Sequence, residues 1–372
     1  MRFIPSPCLK AGMVLSEDLY GFSNNLLLSK NHILTECEIK RIQELNYKGA
    51  YIQDSINIEA ARNNIIKNNL KINAVHTIKR AFLQVDKTED NKELLINMRG
   101  IVCDIVDEII HNKDATINMN DLKNFDDYTY EHSVNVCVYS ILLGLEAGLS
   151  KPKLYELGLG AILHDIGKMF VSKEILGKPG KLDTNEFNEI KRHCKLGSDY
   201  LKEKWDFDPE ARMAVLTHHE RQDGHGYPFG LPADKQTLYG KIVAISDVYD
   251  ALISDRPYRK AISPSEAMEH IMGSMDVLFD PKIVELFMRK IIPYPTGSLV
   301  RLSNGFTGVI VENHKKCGMR PTVKIIPDKT DENYEQDCLQ KIIIYDLYND
   351  NSLLNITIKG LITNNDLSKT AK

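Results

Sequence analysis

The chain has 372 residues, is 43% hydrophobic and 26% charged, and carries a formal net charge of −4. That length suffices for two or three domains around a sizeable core. The near-balanced charge excludes a general attraction to nucleic acid polymers, and no apolar run approaches the roughly 20 residues that span a bilayer. The seven cysteines include no Cys-x-x-Cys pair, so neither a disulfide framework nor a zinc knuckle is expected. Met1-Arg-Phe-Ile-Pro-Ser-Pro lacks the apolar core of a signal peptide, and a reducing, cytoplasmic location follows as the expectation.

Residues 1–56 read as a small mixed unit. Thr35 with Glu38 gives a capping-box signal for a short helix, which Lys48-Gly49 ends before an Ala50–Gln53 strand. Residues 57–112 read as two helices separated near Asp86–Asn91. In the second, Leu95, Met98, Val102, Ile105 and Ile109 alternate spacings of three and four, the stripe of a two-helix seam. Such a stripe fits a homodimer seam and packing against the rest of the chain equally well.

The next segment carries His132, Val136, Tyr139 and Leu143 on one face and is apolar on most others, so it should be a buried central helix. A histidine there must find a partner or a metal. Ser150 and Pro152 open a helix that delivers His164 and Asp165 near its end, with Lys168 on the same face as His164. Asp183 and Glu186 form a capping box for a helix carrying His193 toward its end. Asp208-Pro209 starts another that ends in His218-His219-Glu220. Adjacent helical residues point about 100° apart, so this histidine pair serves two metals, or a metal and a substrate, more easily than one metal. A further helix aligns Val243, Asp247 and Asp250 toward one interior.

After Pro293 and Pro295 the period changes. Leu299–Ser303 and Phe306–Val311 flank Asn304-Gly305, a hairpin signal, and strand-like runs follow at Thr322–Ile326, Lys341–Tyr345 and Leu354–Ile362. Residues 293–372 therefore read as a small β-barrel or curled sheet with a polar tail after about Asn364. Lys315, Lys316 and Arg320 read as solvated cations of a long loop there.

His132, His164-Asp165, His193, His218-His219 and Asp247 mix imidazole and carboxylate as metal-dependent hydrolases do. His164-Asp165-Ile-Gly-Lys168 with His218-His219-Glu220-Arg-Gln-Asp223-Gly-His-Gly226-Tyr227-Pro228 resembles the signature pair of an HD-GYP domain. The likeness continues through Asp247-Val-Tyr-Asp250 and Arg256-Pro-Tyr-Arg259 and covers residues 119–292. It implies a mainly α fold: a helical HD-GYP domain, preceded by the small α/β unit and a helical linker at 57–118, and followed by the small β domain. The unit at 1–56 resembles one that often precedes such domains.

The resemblance further implies a phosphodiesterase that opens cyclic di-GMP to linear pGpG, and on to GMP, by attack of a metal-bound hydroxide. His132, His164, Asp165, His193, His218, His219 and Asp247 would be the metal ligands, with Asp165 bridging two ions. Iron is the leading metal and manganese the alternative, since both accept this donor set. Lys168 would meet the scissile phosphate, while Tyr227, Arg256, Arg259 and Asp250 would serve the dinucleotide. An arginine grips phosphate bidentately or stacks on guanine, and a tyrosine between glycine and proline offers a rigid stacking surface. Two alternatives stand beside this reading: another cyclic dinucleotide such as cyclic GMP-AMP, or a non-catalytic cyclic di-GMP receptor.

Two departures from the family pattern bear on the site. Members with a third metal carry a carboxylate where Tyr128 stands, with Asp127 and Glu131 facing elsewhere on a regular helix, so a binuclear centre is expected. Cys194 stands where the family commonly has proline, which places a thiol near the metals. Asp223 reads as a turn device before Gly224. His225 is either a solvated loop residue or a substrate contact, and His32, His76, His111, His270 and His314 match no ligand spacing.

Overall fold

The computed structural model describes residues 2–6, 9–20, 25–45, 47, 49–53, 65–84, 92–112, 128–178, 180–205, 207–254, 261–294, 296–314, 317–326 and 343–362. Arg256, Arg259, Asp127, Lys315, Lys316, the break near Asp86–Asn91 and the tail beyond Asn364 lie outside these residues, as does the side chain of Tyr128.

In the N-terminal unit, β1 (Arg2–Pro5), β2 (Leu19–Tyr20), β3 (Leu26–Leu28), α1 (Glu36–Glu44) and β4 (Gly49–Ile52) enclose Leu15, Leu34, Ile42 and Ile52. β1 pairs antiparallel with β4, and β2 with β3. The capping box forms: the Thr35 side chain accepts from the Glu38 amide and Glu38 accepts from the Thr35 amide.

The helical body follows with α2 (Asn68–Leu83), α3 (Lys92–His111), α4 (Tyr128–Glu146), α5 (Lys151–Ile162), α6 (Lys173–Leu176), α7 (Thr184–Lys191), α8 (His193–Trp205), α9 (Pro209–Thr217), α10 (Leu238–Ile253), α11 (Pro264–Gly273) and α12 (Pro281–Lys290). Helix α4 is the centre, touching α2, α3, α5, α10 and α12. Residues 132–143 of it are buried without a break, as expected of a helix apolar on nearly all sides. None of the helices among the described residues is long and apolar enough to cross a membrane.

The stripe on α3 packs inward. Met98, Val102, Ile105 and Ile109 are fully buried in the same core as α4, and α3 lies against α2, α4 and α5. Its seam is made with its own chain, so the stripe supplies no dimer surface. Another expectation needs correcting at His193: the Asp183 capping box forms, but its helix stops at Lys191, and His193 begins the next one.

Two glycines permit the close approaches that gather the site. A Cβ on Gly160 would run into the Ala211 carbonyl of α9, and one on Gly167 into the His193 carbonyl. Helix α5, whose end leads into His164, therefore lies directly on α9, and the 3-10 turn Ile166–Phe170 directly on α8.

The C-terminal sheet contains β5 (Leu299–Leu302), β6 (Thr307–Glu312), β7 (Thr322–Ile326), β8 (Ile344–Asp346) and β9 (Ile358–Leu361), all antiparallel in the order β8-β7-β6-β5-β9. Gly305 takes the positive φ, 92°, that the β5–β6 hairpin turn requires. The expected strand over Leu354–Ile362 shortens to β9, preceded by a 3-10 turn at Asn351–Leu353. Arg320 is not a solvated cation: its guanidinium donates to the carbonyls of Leu347, Leu353 and Ile356 at 2.6, 3.0 and 3.3 Å. It ties the loops beneath the sheet.

A buried ion pair joins the linker helices to the central one. Lys71 of α2 and Glu131 of α4 lie 2.8 Å apart, with residue exposures of 3% and 7%. Removing one partner of such a pair strands a buried charge and costs about 3–5 kcal/mol, whereas an apolar replacement of both is close to neutral. Urea denaturation of Lys71→Met should show a loss of that size, and Lys71→Met/Glu131→Leu should recover most of it.

Candidate metal centre

Three of the predicted ligands are aimed by one device. The last carbonyls of a helix have no intrahelical partner. His164, His193 and His218 stand just past the ends of α5, α7 and α9, and each uses Nδ1 to donate to the carbonyl three residues back: Ala161 at 2.8 Å, Ile190 at 2.7 Å and Val215 at 2.8 Å. Each bond satisfies an orphan carbonyl, places the ring proton on Nδ1 and leaves the Nε2 lone pair pointing inward.

Those lone pairs converge. His193 Nε2 and His218 Nε2 are 3.3 Å apart. Asp165 Oδ1 lies 3.4 Å from His193 Nε2 and 4.0 Å from His218 Nε2, while Oδ2 lies 3.4 Å from His164 Nε2. The second carboxylate is arranged similarly, with Asp247 Oδ1 3.1 Å from His132 Nε2 and Oδ2 3.9 Å from His219 Nδ1. Each carboxylate thus faces imidazoles through both oxygens. All seven predicted ligands are brought together.

The donor set fits metal ions. His164 Nε2 and Asp165 Oδ1 are buried without a hydrogen-bond partner, a state that costs about 1–3 kcal/mol per group unless a cation answers it. Donor atoms fall within 4.8 Å of one another in three overlapping groups: His132, His164 and Asp247; His164, Asp165 and His218; and His193, Cys194, His218 and His219.

Electrostatics divide the imidazoles. Burial pushes His218 well below the ordinary histidine value, helped by His219 and His164, and burial lowers His193 against the pull of Asp165. Burial takes His219 down to about 3. At neutral pH these three are neutral donors. His132 goes the other way: burial opposes its charge, but hydrogen bonds to Asp247 and Asp250 prevail and raise it to about 9. Burial would raise both aspartates; Lys168 and His164 hold Asp165, and His132 and His219 hold Asp247, well below the usual carboxylate range.

Asp250 requires a correction. It is fully buried, and its carboxylate accepts from His132 Nδ1 at 2.7 Å and Asn135 Nδ2 at 2.9 Å. It orients His132 and has no surface for a substrate. Lys168 Nζ sits 2.5 Å from Asp165 Oδ2 with a third of its side chain exposed, at the open side of the centre. Asp223 shapes the turn as expected, accepting from the Arg221 guanidinium and the His225 amide, and the His225 side chain is 81% exposed. His32 and His314 pair with Glu38 and Asp346, and none of the five set-aside histidines joins a donor group among the described residues.

Tyr227 forms a wall of the centre. Its amide donates to the His219 carbonyl at 3.1 Å, and its ring centroid is 4.6 Å from that of His219. A Cβ on Gly226 would meet Arg221 N and Glu220 Cα, each at 2.5 Å, so glycine is required to fold the loop this tightly. Glu220, buried, anchors the far side by accepting from the amides of Phe229 and Leu231, both at 2.8 Å. Phe187 and Lys191 of α7 complete the rim, with Lys191 Nζ 4.6 Å from the Phe187 ring centroid and 5.6 Å from that of Tyr227. Sequence reasoning missed these rim residues, Glu220 and Asn135. Only Glu220 had a local signal, an acid between the histidine pair and a glycine-rich loop whose amides need an acceptor.

A helical body of this topology, closed around five histidines and two aspartates, defines an HD domain. Residues 105–283 match the HD domain family, and residues 299–369 match the KOW domain associated with HD domain. The part of the chain at residues 105–283 is an HD domain of the HD-GYP type. It is 41% identical over 226 residues to a cyclic di-GMP phosphodiesterase of Pseudomonas aeruginosa, covering 60% of this chain and 54% of that one. It is 38% identical over 155 residues to a 3'3'-cGAMP-specific phosphodiesterase of Vibrio cholerae, covering 42% and 34% respectively. The chain spans about half the length, or less, of these relatives. The HDG"Y"P protein of Bdellovibrio bacteriovorus shares the fold, with a TM-score of 0.50 at 18% identity over 77% of this chain and 97% of that one.

A metal ion at His132 must displace its Nε2 proton, because this imidazole stays protonated up to about pH 9 in the ion-free chain. Apparent affinity at that position should therefore rise about tenfold per pH unit below 9 and level off above it. Calorimetric titration in buffers of different ionisation enthalpy should detect one proton released per ion bound there near pH 7.

Proposed function

We propose that the chain is a metal-dependent phosphodiesterase that hydrolyses cyclic di-GMP to linear pGpG, with GMP as a further product. The observation that carries this reading is the convergence of three carbonyl-fixed Nε2 lone pairs on Asp165, whose Oδ1 is buried and without a hydrogen-bond partner. Relatives named cyclic di-GMP phosphodiesterases, at up to 41% identity, supply the substrate class.

The proposed centre is binuclear. His132, His164 and Asp247 would hold one ion and His193, His218 and His219 the other, and Asp165, which faces His164 through Oδ2 and His193 and His218 through Oδ1, would serve both. Iron suits this mixture of imidazole and carboxylate, and manganese is the alternative. Bound ions supply Lewis acidity, activating water and neutralising charge on the phosphate. The chain's own groups do the rest. Asp250 and Asn135 hold the His132 ring in its orientation, and Lys168 offers an ammonium to a phosphate oxygen at the exposed edge. Tyr227, held by its amide and by the loop that Glu220 anchors, presents an aromatic surface to a base. Arg256 and Arg259 keep their proposed role in gripping the dinucleotide.

A second substrate is favoured by one observation: a relative named as 3'3'-cGAMP-specific is nearly as similar, at 38% identity. The receptor reading has less support, because every ligand position retains a donor.

Protein purified without oxygen and assayed for metal should convert cyclic di-GMP to the linear product faster than 3'3'-cGAMP, followed by chromatography of the nucleotides. Asp165→Ala should lose both metal and turnover. In Lys168→Met the metal should stay while kcat falls by roughly 10²-fold, the scale for removing one charge-stabilising group. Metal-loaded protein that binds cyclic di-GMP and leaves it intact would establish the receptor instead.

A further inference from the structure

Cys194 follows His193 at the start of α8 and is fully buried. Its Sγ lies 3.4 Å from His193 Nε2, and that nitrogen lies 3.3 Å from His218 Nε2. With metal–sulfur and metal–nitrogen bonds of about 2.3 and 2.0–2.1 Å, the edges of a tetrahedral site are about 3.6 Å between sulfur and nitrogen and about 3.3 Å between nitrogens. The two observed separations are close to those edges. The thiol is not isolated, since its ligand atom belongs with those of His193, His218 and His219 in one group within 4.8 Å. A second observation points the same way: Asp165 Oδ1, buried and without a hydrogen-bond partner, is directed at the same two nitrogens from 3.4 and 4.0 Å.

The geometry points to Cys194 as a further metal ligand: its sulfur binds, as thiolate, the ion held by His193, His218 and His219. This rests on the reading of the site as a metal centre. On coordination the S–H proton passes to solvent and the sulfur lone pair to the ion, with no change of oxidation state. Burial disfavours the free thiolate, whereas a divalent ion at bonding distance outweighs that cost and deprotonates a coordinating thiol outright. The two halves of the centre then differ in softness. His132, His164 and Asp247 offer nitrogen and oxygen, while the half containing sulfur prefers iron(II), zinc or cadmium to manganese.

Cobalt(II) added without oxygen to the metal-free full-length protein tests this. Histidine-bound cobalt gives visible ligand-field bands, and a thiolate ligand adds an intense near-ultraviolet charge-transfer band. That band should appear in the wild type and vanish in Cys194→Ser and Cys194→Ala, with the ligand-field bands retained and shifted. Cobalt bound in the wild type without the charge-transfer band overturns the thiolate ligand and leaves the metal centre standing. A band that persists in both variants overturns it too, by assigning the sulfur elsewhere. No cobalt bound at all overturns the metal centre itself. Where neither variant folds, X-ray absorption on the wild type alone decides between a sulfur neighbour at about 2.3 Å and a shell of only nitrogen and oxygen.

Discussion

The centre depends on the capture of helix-end carbonyls by histidine. A helix terminus leaves carbonyls that need donors, and a ligand histidine needs its distal nitrogen proton-free and its ring held still. His164, His193 and His218 answer both needs with the same Nδ1–H bond to the carbonyl three residues back. Because the bond is local, each ring is fixed by its own helix end. What remains for the tertiary fold is to bring three helix ends to one point, and the tight contacts at Gly160 and Gly167 achieve that.

His132 is handled differently because it lies inside the central helix, at its fifth residue, and not past a helix end where carbonyls are orphaned. Its partner comes from α10: Asp250, itself held by Asn135, grips Nδ1, and Asp247 faces Nε2. Four buried polar residues on α4 and α10 therefore form one connected network, in which His132, helped by His219, holds the Asp247 carboxyl well below its usual range against the effect of burial. The preceding residue on α4, Glu131, is tied to Lys71 of α2. The same turn of helix thus meets the candidate centre on one face and the linker helices on another.

The glycine-rich loop and the C-terminal sheet show how peripheral parts attach to this body. Glu220 sits directly after the histidine pair and supplies the acceptors for the returning loop, so the wall containing Tyr227 is built on the same few residues as the ligands. The sheet has its own core of Val300, Leu302, Ile310 and Val323. Met319 packs against both that core and the helical one.

Much was determined by the sequence alone. The order and spacing of seven candidate ligands, the capping boxes at Thr35 and Asp183, the burial of the central helix and the Asn304-Gly305 hairpin are local properties, written in residue type and period. The tertiary structure decided where long-range pairing matters. Asp250 and Lys168 both lie in the signature motifs, yet one is sealed against His132 and Asn135 while the other stays partly exposed, a difference set by which helix packs over each. The α3 stripe suited a dimer or its own chain equally until the core closed over it. Arg320 looked like a solvated loop cation because its acceptors are backbone carbonyls, which no side-chain pattern displays. Periodicity reports which face of an element is buried, and only packing reports against what.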